Sequence, residues 1–102
     1  LYFFGEEATL AARLWTSGYE IFYPQRTVVW HDWDRSKRPT HFSDHPDWQK
    51  RNEMAYARAR YLLGTELNTD GAVIKQLDKY GLGSERSLVE YQEYCGVDFA
   101  MK

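Results

Sequence analysis

The residues able to do chemistry gather in two places, the pair Glu6-Glu7 and the cluster His31-Asp32-Trp33-Asp34-Arg35. A neutral imidazole beside hard carboxylates suits a divalent ion such as Mn or Mg, and an apolar run ending at His31 would hold the ligands still. A solvent-exposed loop with His31 bonded to backbone accounts for the same letters. Asp32-Trp33-Asp34 has the form of the Asp-x-Asp element by which sugar-nucleotide enzymes hold a metal diphosphate, a three-residue pattern that also recurs by chance. A carboxylate at Glu6 or Glu7 could accept a hydrogen bond from a substrate hydroxyl or attract a cation. Neighbouring helix positions point in different directions, so only one of the two would face a given site. The helix dipole by itself also favours acids there, and both readings stay open. Trp33 is placed to stack on a sugar face or a base, whereas Trp30, inside an apolar run, is a core candidate. His41 and His45 lie four apart in an expected loop, and Cys95 in an apolar helical stripe, so neither is taken as a site.

The elements that would position these groups can be read in order. Residues 1–4, Leu-Tyr-Phe-Phe, suggest a buried strand that Gly5 breaks. Residues 6–16 place Ala8, Ala11, Ala12 and Trp15 at helical spacing, with Leu10 and Leu14 widening the stripe. Gly18 then stands where a C′ glycine would. Residues 19–23 and 27–30, separated by Pro24-Gln25-Arg26, read as two strands delivering His31 at a strand end. A long polar loop follows to Asp44, a candidate N-cap for a locally basic helix over 47–63 with Trp48, Ala55, Ala59 and Leu62 inward. A short helix over 72–80 and a last one capped by Ser84, with Leu88, Tyr91 and Cys95 inward, complete the reading.

In the 102 residues there is material for one domain: 43% are hydrophobic and 17% aromatic, enough for a packed core. The net charge of −2 offers no overall attraction to nucleic acid, and no groove-reading motif is present. A lone Cys95 excludes an internal disulfide and a Cys-rich zinc site, and agrees with a reducing compartment. No apolar run reaches the ~20 residues of a membrane span.

Three segments together resemble a known family: FFGEEATLAARLWTSGYEIFYPQRTVVWHDWDRSKRPT, RARYLLG and KYGLGSERSLVEYQEYCGVDF. Their order is similar to the C-terminal portion of the polypeptide N-acetylglucosaminyltransferases, cytoplasmic enzymes that add GlcNAc to protein hydroxyproline. Gly5-Glu6, Arg13, Trp15, Gly18 and His31 also keep a spacing similar to that of the polypeptide GalNAc-transferases. The resemblance implies an α/β fold, the C-terminal part of a GT-A nucleotide-diphospho-sugar transferase, with a leading helix and two or three short strands over 1–42 and a helical extension over 43–102. It implies metal-dependent, retaining transfer of GlcNAc from UDP-GlcNAc to a protein hydroxyl, on hydroxyproline or Ser/Thr. In that reading Glu6 and Glu7 contact sugar or acceptor, His31 holds the divalent metal, Mn or Mg, Arg35 neutralises diphosphate oxygens, and Trp33 adds a binding surface. The partners are a UDP-sugar donor and a protein or peptide acceptor in the cytoplasm. The family's own Asp-x-Asp lies upstream of residues matched here, which demotes Asp32-Trp33-Asp34 and makes the chain a fragment expected to be inactive alone. The alternative is a non-catalytic sugar- or protein-binding module derived from such an enzyme.

Overall fold

A computed structural model describes residues 1–100, so the last two positions of the expected 43–102 extension lie outside it. Five helices follow one another: α1 (Glu6–Thr16), α2 (His41–Asp44), α3 (Trp48–Leu62), α4 (Leu77–Tyr80) and α5 (Leu88–Cys95). Helix α1 is the hub, packing against both α3 and α5.

The α/β expectation is overturned, because the described residues contain no strand. Residues 19–23 and 27–30 have the composition of strands but no neighbour to pair with. Residues 20–39 make no backbone-to-backbone hydrogen bond among the described residues. Two short strands without a third or a covering helix gain too little to hold together in water. Their apolar side chains stay in solvent, Tyr23 at 97% and Trp30 at 86% exposure, so Trp30 is not a core residue. Residues 1–4 are not a buried strand either: they run as bend and turn, with Phe3 and Phe4 exposed. Their rings pack locally, Phe3 stacked on His41 at 4.1 Å and Phe4 on Tyr56 at 5.8 Å.

Helix α1 has its expected bounds but a different buried face. Thr9, Ala12, Trp15 and Thr16 are buried, whereas Ala8, Leu10 and Leu14 are exposed. A threonine can be buried in a helix when its hydroxyl bonds back to a carbonyl one turn earlier. Thr9 Oγ1 donates to Gly5 O at 2.6 Å, and Thr16 Oγ1 to Ala12 O at 2.8 Å. At the other end Gly5 takes φ 81°, and a side chain there would bring its Cβ 3.0 Å from the Cβ of Ala59 on α3. A glycine therefore lets the start of α1 sit directly against α3.

The C-terminal end of α1 is closed by the segment between α4 and α5. Glu85 N and Arg86 N donate to Thr16 O at 2.9 and 3.2 Å, and Gly83 N donates to Thr16 Oγ1 at 2.8 Å. Carbonyls left over at a helix end thus find partners from distant sequence. A Cβ on Gly83 would stand 2.5 Å from Ser17 Cα, so only glycine permits this approach. Ala12, Trp15 and Tyr91 form the buried centre here, with Leu63, Leu82, Leu88 and Phe99 packed around them. Trp15 is stacked on Tyr94 at 3.9 Å, and the Arg86 guanidinium lies 4.2 Å from the Trp15 ring. The same Arg86 donates to Glu20 Oε1 at 2.6 Å.

Smaller corrections have local causes. Helix α5 is capped by Ser87, not Ser84, because Ser87 alone has a Glu three residues on, and Ser87 with Glu90 makes a reciprocal capping box. Cys95 is exposed rather than inward, its thiol directed to Tyr91 O at 3.0 Å. Helix α3 buries Ala55, Ala59 and Leu62 as expected, leaves Trp48 half-buried, and starts after Asp47 rather than Asp44. Only residues 77–80 of the expected 72–80 helix are helical.

Candidate functional site

Glu6 and Glu7 form the first turn of α1, one residue after the left-handed Gly5. Both carboxylates are exposed and line an open groove of about 330 Å³ together with Leu1, Thr9, Leu10 and Arg13. Residues 6, 9, 10 and 13 follow the i, i+3, i+4, i+7 spacing of one helix face, which brings Glu6 and Arg13 to the same side, and Glu7 lines the groove from the neighbouring position. The spacing was available in the sequence, but Arg13 was not singled out from it as a groove residue. Its guanidinium is anchored by donation from Nε to Gly81 O at 3.3 Å and lies 5.8 Å from the Tyr80 ring centre. Groups of opposite sign on one face can orient a polar ligand, the acids accepting from hydroxyls and the arginine donating to oxygens.

The second group lies elsewhere, in the extended segment between α1 and α2. His31 and Trp33 face each other with ring centres 4.2 Å apart, and Trp33 is 75% exposed. Asp32 Oδ1 accepts from Asp34 N at 2.9 Å, and Asp34 Oδ1 accepts from Ser36 N at 2.9 Å and Ser36 Oγ at 2.6 Å. Lys37 adds an exposed ion pair to Asp34 at 3.4 Å. The Ser36 hydroxyl and then the Ser36 N–H hold the Asp34 carboxyl below its ordinary value. The two aspartates therefore act as turn formers in successive tight turns rather than as two arms reaching for one ion. Arg35 is exposed in the same loop. The groove that Glu6 and Glu7 line contains none of the residues from His31 to Arg35, so the two groups do not share it.

A divalent ion needs several hard donors converging on one point. Among the described residues no group of three or more His, Cys, Asp or Glu side chains does so. His31 supplies one imidazole, while Asp32 and Asp34 spend lone pairs on their own loop. These residues do not fit a metal centre by themselves.

His41 and His45 are not in a plain loop: His41 opens α2 and His45 ends it. Both imidazoles stand edge-on to the Tyr2 ring, at 5.6 and 5.9 Å, which makes them parts of an aromatic cluster with Phe3 and Phe42.

A family model described as Glycosyltransferase (GlcNAc) matches residues 1–101. The chain belongs to the glycosyltransferase (GlcNAc) family. No curated protein and no solved structure matches it. Membership in this glycosyltransferase family makes a sugar donor and an acceptor its partners in kind. No described helix is long and apolar enough to cross a membrane.

Proposed function

We propose that the chain contributes the acceptor side of an enzyme that moves GlcNAc from UDP-GlcNAc to a protein hydroxyl, on hydroxyproline or Ser/Thr, with retention. The observation that carries this reading is the groove at the start of α1, where the Glu6 and Glu7 carboxylates stand open beside Arg13 in a chain of the glycosyltransferase (GlcNAc) family. In transfer, the acceptor oxygen bonds to the sugar C1, the C1–oxygen bond to UDP breaks, and the hydroxyl proton passes to the departing diphosphate oxygen. A carboxylate at Glu6 or Glu7 holds the acceptor or sugar hydroxyl by accepting its hydrogen bond, and that bond strengthens as charge develops. A Mn or Mg ion belongs to the same proposal, with His31 as a single ligand completed by donors from the nucleotide-binding part of the enzyme. Arg35 on its exposed loop serves the diphosphate, and Trp33 offers a flat face to sugar or peptide. The division into a catalytic segment over 1–42 and a helical extension over 43–102, and a cytoplasmic setting, are part of the proposal.

The exposed pairing of Trp33 with His31 favours a second reading, a sugar- or protein-binding module without catalysis. Turnover of UDP-GlcNAc by the longer parent protein that carries this chain, with Mn titrated, separates the two. The transferase reading expects Glu6→Gln to lower turnover about 100-fold or more and His31→Ala to weaken the response to Mn. Unchanged turnover and unchanged Mn dependence in both variants would remove Glu6 and His31 from the site.

A further inference from the structure

Adjoining the acidic groove, and sharing Leu1, Thr9 and Arg13 with it, is a second cavity, of about 360 Å³, lined by residues of α1, of α3 and of the stretch from Ala72 to Tyr80. Its charged walls are Arg13, Arg58 and Lys75, and no carboxylate lines it. Among the described residues none of the three cations makes an ion pair; the four salt bridges all involve other residues. Each guanidinium is nevertheless held in place. Arg13 Nε donates to Gly81 O at 3.3 Å, and Arg58 Nη1 donates to Val73 O at 2.6 Å, where Val73 is buried. An arginine carries five N–H donors, so most of those on each side chain stay free for a ligand.

Three like charges around one concavity repel one another unless an anion offsets them. Two fixed guanidinium forks and a mobile ammonium are the usual complement of a phosphate or carboxylate group. The neutral wall agrees with this: Gln76 and Tyr80 add an amide and a phenol that can donate, while the Thr9 hydroxyl proton is already spent on Gly5 O. Gln76 also takes φ 56°, the one non-glycine residue at positive φ among the described residues. Backbone held in that region is strained, and such strain collects where a chain is shaped for binding.

We propose that this cavity binds a compact oxyanion, a phosphate or carboxylate group held between Arg13, Arg58 and Lys75. The site adjoins the acidic groove, sharing Arg13 with it, and does not depend on the transferase reading. Isothermal titration of the full chain with inorganic phosphate, and separately with glutarate, tests it. Lys75→Glu is the first variant, because Lys75 is exposed and makes no hydrogen bond among the described residues, so the fold should survive its change. Arg58→Met is the second, checked by its melting curve. Binding of at least one probe, weakened about tenfold or more by Lys75→Glu and weakened again between about 50 and 200 mM NaCl, upholds the proposal. Tighter phosphate binding assigns a phosphoryl ligand, and tighter glutarate binding an acidic side chain. No binding of either probe at millimolar concentration, or the same affinity in wild type and Lys75→Glu, overturns it.

Discussion

Two stretches of similar apolar content behave in opposite ways. Around the end of α1, Trp15 is 8% exposed, ringed by Tyr91, Tyr94 and Arg86, and Thr16 O accepts two N–H groups from the segment leading into α5. Only a few residues later in the chain, 20–33 hold Phe22, Val29 and Trp30 in solvent without a backbone-to-backbone bond of their own. Both carry large apolar side chains; only the first has partners to cover them. An apolar side chain contributes when something covers it, and a β-prone stretch becomes a strand only beside another edge.

The sharpest way to break this comparison is Trp15→Ala. Emptying that site should cost about 3–5 kcal/mol and is read as the loss of midpoint in urea unfolding of the full chain. A cost near zero would mean that the α1–α5 contact is not where stability resides. Ser87→Ala should cost about 1 kcal/mol, since the Ser87 Oγ accepts from Glu90 N at 3.1 Å. Its partner Glu90 has a carboxyl held below its ordinary 4.5, first by the Ser87 N–H and then by the Ser87 hydroxyl. A lowered folded-state value favours the charged form, so this contribution is present above about pH 4.5 and is lost as the pH falls through the folded value. Comparing acid unfolding of wild type and Glu90→Gln checks it: the two curves should converge at low pH and separate above it. The smallest effect belongs to Trp30→Ser, expected within about 0.5 kcal/mol of wild type. A larger loss would show that Trp30 is covered in solution.

What could be read ahead of the structure divides along the same line. Helix α1 and the buried alanines of α3 followed from local spacing, because a helix satisfies its own backbone and needs only a face to bury. The buried threonines did not, since their burial depends on back-bonds and on Gly83 arriving from far away in sequence. Residues 19–23 and 27–30 are not strands because an apolar alternation states what a stretch could pair with, not whether a pair exists. Ser84 is a cap by residue type alone, whereas Ser87 also has Glu90 three residues on to complete the capping box. Of the site, the Glu6-Glu7 pair was visible as a motif, whereas the cavity of Arg13, Arg58 and Lys75 joins three separate parts of the chain and has no sequence signature.

The Thr16–Gly83 junction has a consequence for motion. Its hydrogen bond spans 67 positions, yet it ties a helix end, a glycine too close to Ser17 for any side chain, and the lead into α5 into one knot. Such a junction cannot loosen piecemeal. The last turn of α1 and the residues from Gly83 to Arg86 should open and close as one unit, so their amide protons would exchange with solvent at a common rate while those of residues 20–33 exchange freely.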